Sequence, residues 1–134
     1  MDHMRPSTAR PKWPVCLAAG LAAGTAIAWV DNVAFEGEVS PITIVAMVLA
    51  VTGAAGALWG RRSWVTAAAV AACVPMAHVV KRVLGLPDTL QPNTYASILL
   101  LAVFTSAIAT VGTGLGVIGH KLVAGRARRD SGSA

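Results

Sequence analysis

The sequence predicts an all-α integral membrane protein, a bundle of four transmembrane helices with both termini in the cytoplasm and short outer loops. Of its 134 residues, 55% are hydrophobic and only 13% are charged, and the mean hydropathy is +0.64. A chain of this composition has too little polar surface to cover a soluble globule. Four apolar stretches divide the chain, and the basic residues between them fall on alternate sides.

The distribution of basic residues predicts the orientation, because cytoplasmic loops of membrane proteins hold an excess of Lys and Arg. Nine of the eleven basic residues fall in the segments assigned to the cytoplasm, and only Lys81 and Arg82 fall on the outer side. The nine are Arg5, Arg10, Lys12, Arg61, Arg62, Lys121, Arg126, Arg128 and Arg129. We therefore expect a multi-pass protein of the cell membrane, in a bacterium the inner membrane.

The first span is predicted over 13–30, after a polar tail at 1–12 that we expect to be disordered. At 18 residues it is close to the shortest helix that crosses a bilayer. An alternative is a cleaved signal peptide, since Ala26-Ile27-Ala28 before Trp29 resembles a cleavage site. Cleavage would leave three spans with unchanged orientation. The row of small residues on this segment favours a retained packing helix.

The second and third spans are predicted over 41–60 and 63–80. Ser40 followed by Pro41 is typical of a helix start, with an N-cap and a proline at the first helical position. Only the Arg61-Arg62 turn separates the two spans, so we expect an antiparallel helical hairpin.

The fourth span is predicted over 94–119, after a second outer loop that contains two prolines. The transmembrane domain thus covers 13–122. We expect the basic, Gly- and Ser-containing segment 123–134 to be an unstructured cytoplasmic tail.

Rows of small residues predict which helix faces pack together. Lipid is as apolar as leucine, so membrane helices associate where small side chains let their backbones approach. Each span carries such a row at helical spacing. The glycines predicted to pack against other helices are Gly20, Gly24, Gly53, Gly56, Gly60, Gly112 and Gly116.

A cluster of ionisable residues is predicted at the outer end of the bundle. Asp31 and His78 each end a small-residue row and stand at similar heights, so we expect a direct or water-bridged contact between them. One hypothesis is that the cluster is functional, as a mouth or docking surface that faces outward. The other is that the cluster only stabilises the contact between the helices. Its candidate residues are Asp31, Glu36, Glu38, His78, Lys81 and Arg82.

The sequence lacks the motifs of several other classes of protein. It has no nucleophile with a base, no phosphate-binding loop and no paired carboxylates at membrane depth, so we expect no enzyme. His, Cys and carboxylate residues do not occur in the spacing of metal ligands, so we predict neither metal nor cofactor. The basic clusters lie beside apolar segments, where anionic headgroups attract them, so the partner is the lipid bilayer and not nucleic acid.

Two functions compete. The first is a structural or accessory subunit that packs against other membrane proteins, and the second is a small channel or transporter that acts as an oligomer of itself. In size and plan the chain resembles the small multidrug transporters and the small fluoride channels. The former depend on a carboxylate in the middle of the first helix, where this chain has no acid between Trp13 and Val30. We therefore prefer the accessory subunit.

The predicted orientation can be tested by cysteine labelling. A cysteine introduced by Gly37→Cys should react with an impermeant thiol reagent added outside the cell, and one introduced by Ser131→Cys should not. The unaltered chain gives the background from its native cysteines. The opposite labelling pattern would overturn the orientation.

Overall fold

A computed structural model describes residues 12–33, 40–90, 92 and 94–132, and in these ranges the protein is all-helical, as the sequence predicts. A short 3₁₀ turn joins the second and third helices. The elements are α1 (Trp13–Val33), α2 (Pro41–Trp59), the 3₁₀ turn (Gly60–Arg62), α3 (Ser63–Leu84) and α4 (Tyr95–Gly132).

Three described helical segments are long and apolar enough to cross a membrane, namely Trp13–Val33, Pro41–Leu84 and Tyr95–Gly132. The predicted number of four is not matched by this count, because the 3₁₀ turn joins α2 and α3 into one continuous stretch of 44 residues. Three such segments are compatible with a multi-pass membrane protein.

The helix ends follow local chemistry. At the start of α2 the Ser40 hydroxyl accepts a hydrogen bond from the backbone N–H of Ile42, at 3.3 Å. The end of α3 is a left-handed residue, Gly85, whose φ of +65° is favourable for glycine. The Thr94 hydroxyl accepts from the backbone N–H of Ser97, at 3.1 Å, just before α4.

The segment after the fourth span differs from the sequence prediction. The sequence predicts an unstructured tail from 123 onward, but α4 continues to Gly132. Ala124, Ala127 and the arginines of this segment are good helix formers. They extend a helix that already exists, so no nucleation cost arises, and this outweighs the charge and the glycines.

Helices α1 and α3 form one close pair. The Thr66 hydroxyl donates to the Cys16 carbonyl oxygen, at 2.9 Å, near the start of both helices. Further along, Gly24 lies against Cys73. Because the residue numbers of the contacts rise together, α1 and α3 run parallel.

Helices α2 and α4 form the second close pair. Gly56 lies against Gly116, and one turn later a His120 ring nitrogen, Nδ1, lies 2.7 Å from the Ala57 carbonyl oxygen. These numbers also rise together, so this pair is parallel as well.

The two pairs meet mainly through α3 and α4. The Thr105 hydroxyl of α4 donates to the Ala71 carbonyl oxygen of α3, at 3.2 Å. The guanidinium of Arg82 stacks over the Tyr95 ring, 4.5 Å from its centroid. Here one number falls as the other rises, so α3 and α4 are antiparallel, and the chain reverses direction between α2 and α3. Gly60, with φ of +59°, lies at this reversal.

Most of the predicted packing glycines lie in backbone contact with a neighbouring helix. A Cβ on Gly20 would lie 2.8 Å from Ala69 Cβ, and one on Gly56 would lie 2.7 Å from the Thr113 carbonyl oxygen. Such separations are shorter than a real Cβ tolerates. Gly24, Gly112 and Gly116 are equally close to Cys73, Thr52 and Gly53, respectively, whereas Gly53 has ordinary contact distances and Gly60 faces His120.

We predict that Gly116→Ala lowers the stability of the bundle by about 1–3 kcal/mol, because the added methyl meets the backbone of α2. Gly119→Ala is the matched control, since nothing lies within 4 Å of a Cβ there, and alanine favours helix. Melting in detergent measures both. Equal melting temperatures for the two variants would show that Gly116 does not hold α2 and α4 together.

Candidate functional site

The parallel packing of α1 and α3 brings the predicted polar residues together. Asp31 lies near the end of α1 and His78 near the end of α3. The Asp31 carboxylate oxygen Oδ2 lies 3.0 Å from His78 Nε2. The direct contact expected from the sequence is therefore present.

A second carboxylate contacts the other side of the imidazole. Asp88 Oδ1, from the loop after α3, lies 2.7 Å from His78 Nδ1. The backbone N–H of Leu90 donates to the same oxygen, at 3.3 Å. The His78 and Asp88 side chains are 3% and 1% exposed, whereas that of Asp31 is 22% exposed. Asp31 is therefore the member of this Asp31–His78–Asp88 triad that an incoming molecule can reach.

The two carboxylates compete for the hydrogens of one imidazole. A neutral imidazole carries one N–H and can donate to only one of them, whereas a doubly protonated imidazole can donate to both.

Two cations lie beside the triad. Lys81 Nζ is 3.9 Å from Asp88 Oδ1. The guanidinium of Arg82 stacks on Tyr95 of α4. Carboxylates with cations nearby are less costly to bury than isolated charges.

The structure brings together some of the predicted site residues and not others. Asp31 contacts His78, and Lys81 lies beside them. Arg82 stacks on Tyr95 of α4. Glu36 and Glu38 lie outside the described residues. Asp88 is not among the predicted residues, yet it makes the shorter of the two carboxylate contacts to His78. The helix-ending Gly85, three residues before it, is the signal that could have indicated a chain turning back over His78.

A cleft of about 220 Å³ adjoins the triad. Asp31 and His78 form its polar part, and its walls come from the first half of α2 and the first half of α4. The wall side chains are Ile44, Val45, Val48, Leu101, Phe104, Thr105 and Ile108. The close glycine contacts between α2 and α4 begin only after this region, at Leu49 and Gly112. The cleft thus combines apolar walls with one reachable carboxylate.

Among the described residues, no group of three or more His, Cys, Asp and Glu side chains has the arrangement of a metal site. Cys16 and Cys73 are free thiols.

Comparison of the chain with models of protein families, with curated proteins and with solved structures returns no match of significance.

We predict that Asp88→Ala lowers the free energy of unfolding by about 2–4 kcal/mol, since it leaves the buried Nδ1 of His78 without its partner. Asp31→Ala should cost less, about 1 kcal/mol, because water reaches that carboxylate. Asp130→Ala, on the exposed end of α4, is the control and should change little. Unfolding in detergent measures all three, and an Asp88→Ala loss no larger than the control would contradict the triad.

Proposed function

We propose that the protein is a four-span membrane protein, with both termini in the cytoplasm, that serves as a structural or accessory subunit for other membrane proteins. The reversal of the chain at Gly60 supports four spans, because α2 and α3 then cross in opposite directions. Each is long enough, at 19 and 22 residues. The contacts of α1 with α3 support its retention as a packed helix.

The observation that carries the accessory role is the exposed end of α4. Just past the middle of this helix, His120 contacts Ala57 of α2. Every described residue from Lys121 to Gly132 is exposed, over about 18 Å of helix. We call this segment the basic arm, and its cations are Lys121, Arg126, Arg128 and Arg129.

The basic arm suits an acidic surface on the cytoplasmic side of a partner. A straight extension of a membrane helix holds its cations in fixed positions, which lowers the entropy cost of binding. Positive charge also attracts the anionic headgroups of the inner leaflet. An acidic partner protein is the occupant that the proposal commits to, and lipid attraction alone is the outcome that would contradict it.

Purification from native membranes in mild detergent, without crosslinking, tests this proposal. The chain should be recovered with a companion in fixed ratio, and Arg126→Ala/Arg129→Ala should release it. Arg5→Ala/Arg10→Ala removes the same charge from the other end and should retain the companion. Equal loss in both variants would indicate general attraction to anionic lipid.

A small channel or transporter is the second candidate, and the cleft beside the triad is the observation that favours it. Recovery of a homogeneous homo-oligomer without a companion would support this candidate over the accessory subunit.

A further inference from the structure

We propose that a groove at the start of α1 and α3 holds one anionic phospholipid of the inner leaflet, with the lipid phosphate at Lys12 and Arg62. The choice of leaflet rests on the proposed orientation, whereas the site itself requires only the packing of α1 on α3. The inference goes beyond the accessory role, because it assigns a ligand to a surface that this role does not use.

The parallel register of α1 and α3 brings the two basic residues to one place. The Thr66 hydroxyl of α3 donates to the Cys16 carbonyl oxygen of α1, at 2.9 Å, and these residues are 50 positions apart. Lys12 directly precedes α1 and Arg62 directly precedes α3, which is the same separation of 50 positions. The register that pairs Thr66 with Cys16 therefore places Arg62 level with Lys12.

An open groove of about 460 Å³ lies where the two helices start. Its described lining residues are Lys12, Trp13, Pro14, Arg62 and Val65. The volume lies within the roughly 300–1,000 Å³ of small-molecule sites, so the groove is large enough for a lipid headgroup and not only for a single ion.

The basic side chains of the groove suit a phosphate group. Lys12 and Arg62 each carry several N–H donors, so each can bind a phosphate oxygen in addition to contacts within the protein. No acidic side chain occurs among the described residues of the lining. Basic pockets between membrane helices on the cytoplasmic side are typical sites for anionic headgroups.

The apolar side chains of the groove suit the rest of a lipid molecule. Trp13 is 64% exposed, and tryptophan favours headgroup depth because an apolar ring carries an indole N–H donor. Val15, in the first turn of α1, is 53% exposed, so acyl chains can continue from the groove along the surface of this helix. A free phosphate would use none of this apolar surface. The groove therefore favours a phospholipid over a soluble phosphate.

Native mass spectrometry of the purified chain in detergent tests the proposal, with phosphatidylglycerol as the anionic probe. Phosphatidylcholine with the same acyl chains is the zwitterionic probe. We expect one phosphatidylglycerol molecule to bind at least about tenfold more tightly than phosphatidylcholine, because each cation near the membrane surface favours an anionic lipid by about fivefold. Detergent removes the two leaflets, so this result is independent of the proposed orientation and of the accessory role.

Soluble glycerol phosphate, added at the concentration of the lipid, should not displace phosphatidylglycerol. Displacement would show that the phosphate alone is recognised and would overturn the proposal of a lipid site. Equal binding of the two lipids would overturn it as well.

Two double variants of equal charge locate the site. Lys12→Ala/Arg62→Ala should weaken phosphatidylglycerol binding at least about tenfold and leave phosphatidylcholine binding unchanged. Arg61→Ala/Arg126→Ala removes the same charge from two exposed positions outside the groove lining and should retain the preference for phosphatidylglycerol. An equal loss in both double variants would indicate general attraction of charge and would contradict the proposal.

Single variants test the site without a large change in the chain, and melting in detergent shows that each is folded. Lys12→Ala, at an exposed residue before α1, should weaken phosphatidylglycerol binding by about fivefold. Trp13→Ala should also weaken it, whereas Trp29→Ala, at a 59% exposed position farther along α1, should not. Unchanged phosphatidylglycerol binding by folded Lys12→Ala and Trp13→Ala chains would place the lipid elsewhere and contradict the proposal.

Discussion

Close approach of helix backbones is the constraint on which the rest of this structure depends. In a bilayer, apolar side chains gain little by leaving lipid for protein, so helices pair where their backbones can touch. Gly20 and Gly24 provide this on α1, and Gly112 and Gly116 provide it on α4. Each glycine row lies against one stretch of its partner helix, and these contacts hold the paired helices at the observed relative height.

The polar triad follows from this packing. A parallel α1–α3 pair places Asp31 level with His78, and the loop after α3 adds Asp88 on the other side of the ring. Hydroxyl groups add further ties between helices, from Thr66 to Cys16 and from Thr105 to Ala71. The Thr66 hydroxyl finds its partner on another helix, whereas the Thr105 hydroxyl also lies 3.0 Å from the Leu101 carbonyl oxygen of its own helix. The cleft forms where α2 and α4 lack close glycine contacts.

Much of the arrangement could be predicted from local sequence signals. Hydropathy and caps predict the helices, and small-residue spacing with matched heights predicts the Asp31–His78 contact. The place of Asp88 could not be predicted, because it depends on how the chain turns after Gly85. The helical end of α4 could not be predicted from charge and glycine content alone, because it depends on continuity with the preceding helix. Side-chain bonds to carbonyls of other helices, such as that of Thr66, require the helix register to be known first.

A double-mutant cycle between Gly24 and Cys73 tests the parallel register of α1 and α3 most directly. A Cβ on Gly24 would lie 2.7 Å from the Cys73 sulfur and 2.8 Å from the Cys73 Cβ, so Gly24→Ala should lower the melting temperature in detergent. In the Cys73→Gly background, which removes both atoms, the same change should cost less. Gly119→Ala, where nothing lies within 4 Å of a Cβ, is the control and should have the same effect in both backgrounds. An equal loss for Gly24→Ala in both backgrounds would contradict the packing described here.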